Sequence, residues 1–394
     1  MTSADRWLLP DGVEEILPAD AEHIEQLRRR LLNLYHSWGY DLVIPPLLEY
    51  TDSLLIGLGR DLDLLTFKVT DQLSGRTLGI RADITPQTAR MDAHSFRRSG
   101  ANRLCYAGHV VYTRPRGPLA TRTPIQAGVE LYGNEGPNAD AEVVSLMLES
   151  LHCAGLPALH IDLGHVGIFR ALAQTAGLNT AQEDALFELL QRKASTEIKA
   201  WVSDNVTDPA MATILLKLPS LAGSQSVLET AIDLFTGVSD AALGAVQELR
   251  TVANEVASRY PQAKLYFDLS ELRGYHYHTG IVFAAFAPGF GNAIANGGRY
   301  DRIGEVFGHA RPATGFSLDI TALNSLLQAA APKPQGIFVA AELGEPGDRW
   351  QAMQKLREQG ERVVCGLHDC QVSEDHRCDR QLLLVDGEYR VQAL

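Results

Sequence analysis

The chain of 394 residues is 45% hydrophobic, enough for a large core divided among two or three domains. It lacks an apolar run that could span a bilayer and the basic and apolar segments of a signal peptide, so we expect a cytoplasmic protein without a membrane partner. Its formal net charge of −13, without a basic stripe, argues against a nucleic-acid partner.

The chain begins with an amphipathic helix and a strand that contains two prolines. Apolar residues recur at helical spacing over Ala19–Trp38, and Gly39 suits the end of this helix. Residues Tyr40–Leu48 predict a strand, but Pro45 and Pro46 exclude a central position with both neighbours paired. We therefore expect an edge strand that a second copy of the chain covers in a homodimer.

A hairpin and a helix start come next. Phe67–Thr70 and Thr77–Arg81 predict two strands joined by a turn. Asp83 directly precedes a helix start at Thr85, where it could serve as a cap or as part of a site.

Two further strands, Tyr106–Thr113 and Ile125–Tyr132, flank a loop rich in Arg, Pro, Gly and Thr. Alternation along the second strand places Gln126, Gly128 and Glu130 on one face and apolar residues on the other. This polar face suits the floor of a pocket, although an ordinary half-exposed hairpin would show the same pattern.

From about residue 166 to 258 the sequence shows helical patterns and no strand patterns, which predicts a helical insertion. Further predicted elements are strands at His160–Gly164, Lys264–Leu269 and Gly280–Phe286, a turn at 295–304 that exposes Arg299, Tyr300 and Asp301, and a strand leading into a helix over Gly315–Ser325.

Residues Ala329–Gln335 have the composition of a linker, so we expect a core over 1–330 and a small α/β domain over 335–394. This tail contains a group of thiols and imidazoles at Cys365, His368, Cys370, His376 and Cys378. The spacing lacks the paired cysteines of structural zinc sites, which favours free thiols and no metal.

Four polar clusters interrupt the apolar strands, and together they describe a pocket for a small amino acid. They offer carboxylates for an ammonium group, an arginine for a carboxylate and tyrosines for a ring. The clusters are Asp83 with Thr85, Gln126 with Glu130, the segment RGYHYHTG at 273–280, and Arg299–Asp301.

The motifs resemble those of class II aminoacyl-tRNA synthetases, and specifically histidyl-tRNA synthetase, over roughly residues 5–330. GYDLVIPPLLEY resembles motif 1, the 105–133 stretch motif 2 and GFSLDITAL motif 3, while RGYHYHTG and NGGRYD resemble the two histidine signatures. The resemblance implies an α+β fold, an antiparallel sheet of about six or seven strands flanked by helices.

Two departures from that family concern the ATP site. The motif 2 arginine that holds the ATP α-phosphate falls on Tyr112, and the motif 3 arginine falls on Ala322. Fixed guanidinium groups stabilise the charge that develops during adenylation, so we expect the chain to be non-catalytic and to use no cofactor.

The chain also resembles a paralogous family that keeps the histidine pocket and loses these arginines, the regulatory subunits of ATP phosphoribosyltransferase. This resemblance implies a homodimer within a hetero-octamer, activation of the short-form catalytic subunit and feedback by L-histidine in histidine biosynthesis. A divergent histidyl-tRNA synthetase and a stand-alone histidine-binding protein are the alternatives.

The resemblance implies a histidine pocket, in which His278 and Asp83 replace a usual tyrosine and a usual glutamate. Its implied members are Asp83, Thr85, Gln126, Glu130, Arg273, Tyr275, Tyr277 and Tyr300.

Overall fold

A computed structural model of the chain describes residues 7–55, 60–96, 100–117, 120–308, 310–327, 335–367 and 376–394. The chain divides into two compact units, Met1–Gln328 and Ala329–Leu394, each with its own hydrophobic core. None of the described helices combines the length and the apolarity needed to cross a membrane.

The first unit combines two sheets with helices. Its described strands are β1 (Asp41–Leu42), β2 (Leu48–Tyr50), β3 (Phe67–Thr70), β4 (Thr77–Ile80), β5 (Asn102–His109), β6 (Ile125–Tyr132), β7 (His160–His165), β8 (Ala222–Gly223), β9 (Lys264–Asp268), β10 (Ile281–Phe286), β11 (Ala295–Arg299) and β12 (Ala313–Asp319). Its described helices are α1 (Pro18–Ser37), α2 (Thr51–Leu54), α3 (Arg60–Leu65), α4 (Thr85–Met91), α5 (Pro137–Ala154), α6 (Val166–Thr175), α7 (Thr180–Gln191), α8 (Ser195–Asn205), α9 (Pro209–Lys217), α10 (Ser226–Phe235), α11 (Asp240–Arg259) and α12 (Ile320–Leu327).

The large sheet has the strand order β1-β5-β6-β12-β11-β10-β7-β9-β8. The six strands from β5 to β7 in this order are antiparallel to their neighbours, whereas β1 runs parallel to β5 and β9 parallel to β7. The predicted fold class is therefore confirmed, but the complete sheet is mixed and wider than expected. Two of the additional strands, β1 and β8, are only two residues long.

The helices α1 and α5 pack against one face of this sheet and bury its apolar side chains. Ala127, Val129 and Leu131 of β6 belong to this core, while Gln126 and Glu130 alternate with them on the opposite face. The alternation predicted for this strand is therefore confirmed. The sheet face opposite α1 and α5 is available for a binding site.

The predicted helical insertion is present as α6–α11, and one of its helices has only a weak apolar pattern in the sequence. This helix, α8, buries only Ile198 and Val202. With two buried apolar residues in eleven, its pattern is too polar to indicate an amphipathic helix.

The proline-containing segment forms two strands in different sheets, so the prediction of one strand over Tyr40–Leu48 was wrong. β1 lies at the edge of the large sheet, and β2 joins β4 and β3 in a separate three-stranded sheet. Between them the carbonyl oxygen of Pro45 accepts a hydrogen bond from Arg81 Nη1 at 2.8 Å. Two residues without an N–H cannot continue a ladder, and a side chain satisfies the released carbonyl instead.

The segment at 295–304 was predicted as an exposed turn, and this was also wrong at its start. Residues Ala295–Arg299 form the central strand β11, and Arg299 and Tyr300 are buried at 6% and 2% exposure. Arg299 donates two hydrogen bonds to Asp140 Oδ2 on α5, at 2.9 and 3.1 Å. An arginine is buried here because a distant carboxylate pairs with it, which local sequence does not reveal.

The second unit is a small α/β structure with β13 (Ile337–Val339), α13 (Pro346–Glu358), β14 (Val363–Cys365), β15 (Arg380–Val385) and β16 (Glu388–Ala393). Its sheet order is β14-β13-β15-β16. β15 and β16 form a hairpin at Asp386 and Gly387, and both residues have the positive φ that tight hairpin turns require. Within the described residues no group of side chains could hold a metal, while His368 and Cys370 lie outside them.

Candidate ligand-binding site

A cavity of about 240 Å³ lies over β6, β12, β11 and β10, on the sheet face opposite α1 and α5. It brings together residues from all four predicted polar clusters. Of the predicted site residues, those that line it are Asp83, Thr85, Glu130, Arg273, Tyr277 and Tyr300. Gln126 and Tyr275 do not line it.

Glu130 forms the floor of this cavity and is almost fully buried. One carboxylate oxygen accepts hydrogen bonds from Thr85 Oγ1 at 2.8 Å and Tyr106 Oη at 3.0 Å, and the other accepts one from Tyr300 Oη. Burial raises the pKa of Glu130 to about 8, although the three hydroxyl donors favour its charged form. The cavity therefore holds a carboxyl group with a pKa of about 8.

A glycine on the neighbouring strand makes room for this carboxylate. Gly315 of β12 pairs with Glu130 across the ladder, and a Cβ atom there would come within 1.8 Å of Glu130 Oε2. Any larger residue at position 315 would displace the glutamate or fill the cavity.

Gln126 contributes by holding Asp83 and not by lining the cavity. Its Nε2 donates to Asp83 Oδ1 at 2.9 Å, and its Oε1 accepts from the backbone N of Ile84 at 3.0 Å. Asp83 Oδ1 also accepts from the backbone N of Thr85 at 3.2 Å. Asp83 therefore stabilises the start of α4 and presents a carboxylate to the cavity at the same time.

Aromatic rings form one wall. Tyr277 stacks on Tyr300 with 5.1 Å between ring centroids, and the buried Tyr277 hydroxyl has no hydrogen-bond partner among the described residues. A buried hydroxyl without a partner is costly, so a ligand that satisfied it would bind more tightly. Beside them burial lowers the pKa of His278 to about 4, which keeps this imidazole neutral.

Tyr275 was predicted to lie at the pocket, and the structure places it on the other side of its segment. Its hydroxyl donates to Glu183 of α7, and its ring packs against Phe169 and Phe187 at 5.3 and 5.2 Å. Tyr275 and His276 thus face the helical insertion, whereas Tyr277 and His278 line the cavity. The motif resemblance does not indicate in which direction the Tyr275 side chain points.

Three charged residues that line the cavity were not predicted from the sequence, namely Arg116, Asp162 and Glu271. Asp162 lies on β7, which pairs with β10, and Glu271 follows β9. The only local signals were the odd polar residue in the strand at 160–164 and the arginines of the motif 2 loop. Their convergence depends on strand pairing that sequence alone does not give.

Neither position at which the resemblance expects an ATP-binding arginine carries a positive charge. Tyr112 is buried in a small apolar cluster, and burial raises its pKa to about 12. Ala322 lies at the start of α12, where its backbone N donates to Asp319 Oδ1 at 3.1 Å.

The large sheet, its helical insertion and the cavity define a class II, histidyl-tRNA synthetase-like protein. The family model described as "Histidyl-tRNA synthetase" matches residues 12–323. The structure of histidyl-tRNA synthetase from Nostoc sp. PCC 7120 has the same fold, with a TM-score of 0.79 over 98% of this chain and 97% of that one, at 18% identity.

Relatives over the full length identify the branch. The ATP phosphoribosyltransferase regulatory subunits of Cellvibrio japonicus and Teredinibacter turnerae are 64% and 57% identical, over 100% of this chain and 98% and 100% of theirs. A structure described as an ATP phosphoribosyltransferase regulatory subunit/histidyl-tRNA synthetase from Bacillus halodurans is 28% identical, with a TM-score of 0.81 over 94% of this chain and 95% of that one.

The C-terminal unit agrees, because residues 334–392 match the family model "ATP phosphoribosyltransferase subunit HisZ C-terminal domain". The chain belongs to the family of ATP phosphoribosyltransferase regulatory subunits. The predicted family and the predicted regulatory role are confirmed.

Proposed function

We propose that this chain binds L-histidine in the cavity over β6 and relays its presence to a separate, short-form catalytic subunit of ATP phosphoribosyltransferase. It activates that subunit in the first step of histidine biosynthesis and makes it sensitive to the end product. The observation that carries the proposal is a cavity that combines carboxylates, arginines and tyrosines while Tyr112 and Ala322 occupy the ATP-arginine positions.

The chemistry of the cavity suits an amino acid with a polar ring. Asp83 and Glu130 offer carboxylates to the ammonium group and the imidazole nitrogens of histidine, and Tyr277 offers a hydroxyl that lacks a described partner. The stacked Tyr277 and Tyr300 provide an aromatic wall. At about 240 Å³ the cavity suits a metabolite smaller than the drug-sized ligands of typical 300–1,000 Å³ pockets.

The lack of arginines at positions 112 and 322 affects adenylate formation but not the binding of histidine. A ligand held by Asp83, Glu130 and the aromatic wall needs no cation at positions 112 or 322, whereas adenylate formation does. A chain with this pattern senses histidine without consuming it.

The proposed assembly contains a homodimer within a hetero-octamer. Four apolar side chains of the motif 1 segment are 44–85% exposed, namely Leu42, Ile44, Leu47 and Leu48. A surface of this kind supports burial against a second copy of the chain, next to the edge strand β1.

Mixing this chain with a purified short-form catalytic subunit tests the proposal. We expect a complex by size-exclusion chromatography and a turnover of ATP with phosphoribosyl pyrophosphate that rises well above that of the catalytic subunit alone. Unchanged kcat and no complex would contradict the proposal and would leave a stand-alone histidine-binding protein.

A pyrophosphate-exchange assay tests the synthetase alternative. We expect histidine-dependent exchange at background level, because no arginine occupies positions 112 and 322. Exchange above background would identify a divergent histidyl-tRNA synthetase.

A further inference from the structure

We propose that Arg116, and not Arg273, is the residue that binds the carboxylate of the ligand in this cavity, with the ring of Tyr112 as its support. This assignment rests on the proposed binding of histidine. It moves the carboxylate contact from the histidine-signature segment to the motif 2 loop.

The charge of Arg273 is already matched by carboxylates. Its Nη2 lies 3.4 Å from Glu271 Oε2, and its backbone N donates to Glu271 Oε1 at 2.8 Å. Asp162 lines the same part of the cavity, and the nearby positive charge of Arg273 acts to lower the pKa of Asp162. One cation between two acids leaves a net negative surface, which repels a carboxylate.

Arg116 is the second arginine of the cavity, and the described residues contain no carboxylate within ion-pair distance of it. Its charge also acts weakly on Asp319, whose Oδ1 already accepts the backbone N–H groups of Thr321 and Ala322. The guanidinium of Arg116 is therefore available for an anion that enters the cavity.

Tyr112 explains how an arginine on a loop is held in place. The Cζ atom of Arg116 lies 4.3 Å from the centroid of the Tyr112 ring, and that ring is buried. A guanidinium over a tyrosine face is held by a cation–π contact while its N–H groups stay free at the edges. The substitution that removes the ATP arginine at position 112 thus supplies a platform for another arginine four residues later.

Two ligands, one with a carboxylate and one without, distinguish the loss of a carboxylate contact from a general loss of binding. Histidine and histamine differ in the carboxylate, so we would measure both by titration calorimetry on wild type, Arg116→Gln, Arg273→Gln and Arg114→Gln. Arg114 is the matched control, since it lies in the same loop, is exposed and does not line the cavity. The melting temperature of each variant reports whether it is folded.

We expect Arg116→Gln to weaken histidine binding about 10- to 100-fold, the range for losing a charged hydrogen-bond partner, and to leave histamine within about threefold. Arg114→Gln should stay within about threefold for both ligands, and Arg273→Gln should weaken histidine binding less than Arg116→Gln does. Tyr112→Leu should weaken histidine binding and Tyr112→Phe should preserve it, because only the latter keeps a ring under the guanidinium.

A histidine-selective loss in Arg273→Gln with none in Arg116→Gln would overturn the assignment, as would equal losses of both ligands in Arg116→Gln. Wild-type protein that binds histamine but not histidine would also overturn it. If wild type binds neither ligand, the proposed function itself fails, and the assignment fails with it.

Discussion

Glu130 lies in the middle of a central strand, where a carboxylate is costly unless hydrogen bonds or a ligand compensate it. The side chains of Thr85, Tyr106 and Tyr300 supply three donors, and Gly315 supplies the space. The cavity is therefore built around a buried acid that three hydroxyl groups hold in place.

This acid makes the stability of the fold depend on pH. Its pKa of about 8 in the folded state lies above the 4.5 expected in the unfolded chain, so its stabilising effect is complete below pH 4.5 and is lost as pH rises through 8. We expect Glu130→Gln to melt at a higher temperature than wild type at pH 8, with the gap shrinking toward pH 5. The full effect is on the order of 5 kcal/mol.

The exposed Glu135→Gln variant is the control, and its melting temperature should follow wild type at every pH. A gap between Glu130→Gln and wild type that did not change between pH 5 and pH 8 would contradict a raised pKa at Glu130.

The space beside Glu130 gives a second prediction. Gly315→Ala places a methyl group where the Glu130 carboxylate lies, so we expect histidine binding to fall at least about tenfold, by loss of an ammonium or imidazole partner. Gly244→Ala is the matched control, because nothing lies within 4 Å of its added methyl group. Calorimetry that found equal affinities in the two variants would show that Glu130 does not contact the ligand.

Residues on a single strand were predictable, and residues brought together by pairing were not. The face of Gln126 and Glu130 follows from two-residue alternation. Arg116, Asp162 and Glu271 lie far apart in the chain and meet only through the order of the strands. The motif resemblance supplied most of the residues that line the cavity but also included Tyr275, which faces the helical insertion.

Among the elements, the signature segment Arg273–His278 joins the cavity to the helical insertion. Arg170 of α6 donates to the backbone oxygens of Tyr275 and His278 at 3.2 and 3.3 Å, and Glu183 of α7 accepts from the Tyr275 hydroxyl. The insertion therefore fixes the segment that carries Tyr277 and His278.

This connection predicts a remote effect on binding. Tyr275→Phe removes one hydrogen bond to the insertion, so we expect histidine affinity to fall about 3- to 10-fold, roughly 1 kcal/mol, without a direct ligand contact being lost. Tyr266→Phe, at an exposed tyrosine of β9, is the control and should be neutral. Unchanged affinity in Tyr275→Phe would show that the insertion does not position the segment.

Elements with strong periodicity were predicted well, as α1 and β6 show. The two strands β1 and β2, in place of one strand over Tyr40–Leu48, were not predicted. The two prolines end one strand, and the chain then enters a second sheet. The run of apolar residues continues from β1 to the start of β2 and therefore does not mark the boundary. Strand β11 was missed because its glycines resemble a turn, while its partners β10 and β12 make it central.

At the scale of the whole molecule, the exposed motif 1 surface predicts self-association. Ile44 is 85% exposed, so Ile44→Glu places a charge where we expect a second copy to bury an apolar side chain. We expect wild type to sediment as a dimer at micromolar concentration and Ile44→Glu to sediment as a monomer. Leu73→Glu, at a residue 98% exposed on the β3–β4 hairpin, should remain dimeric. A monomeric wild type would contradict the proposed interface.

We propose that the cavity over β6 carries histidine inhibition to the catalytic partner, and the inhibition curve of the assembled complex shows whether it does. With Glu130→Ala in place of wild type, we expect turnover without histidine to persist and the inhibitory histidine concentration to rise at least about 30-fold, equivalent to roughly 2 kcal/mol or more of lost affinity. Affinity and inhibition must change together if the cavity is the inhibitory site. Full histidine sensitivity in a folded Glu130→Ala complex would contradict the account and would place the inhibitory site elsewhere.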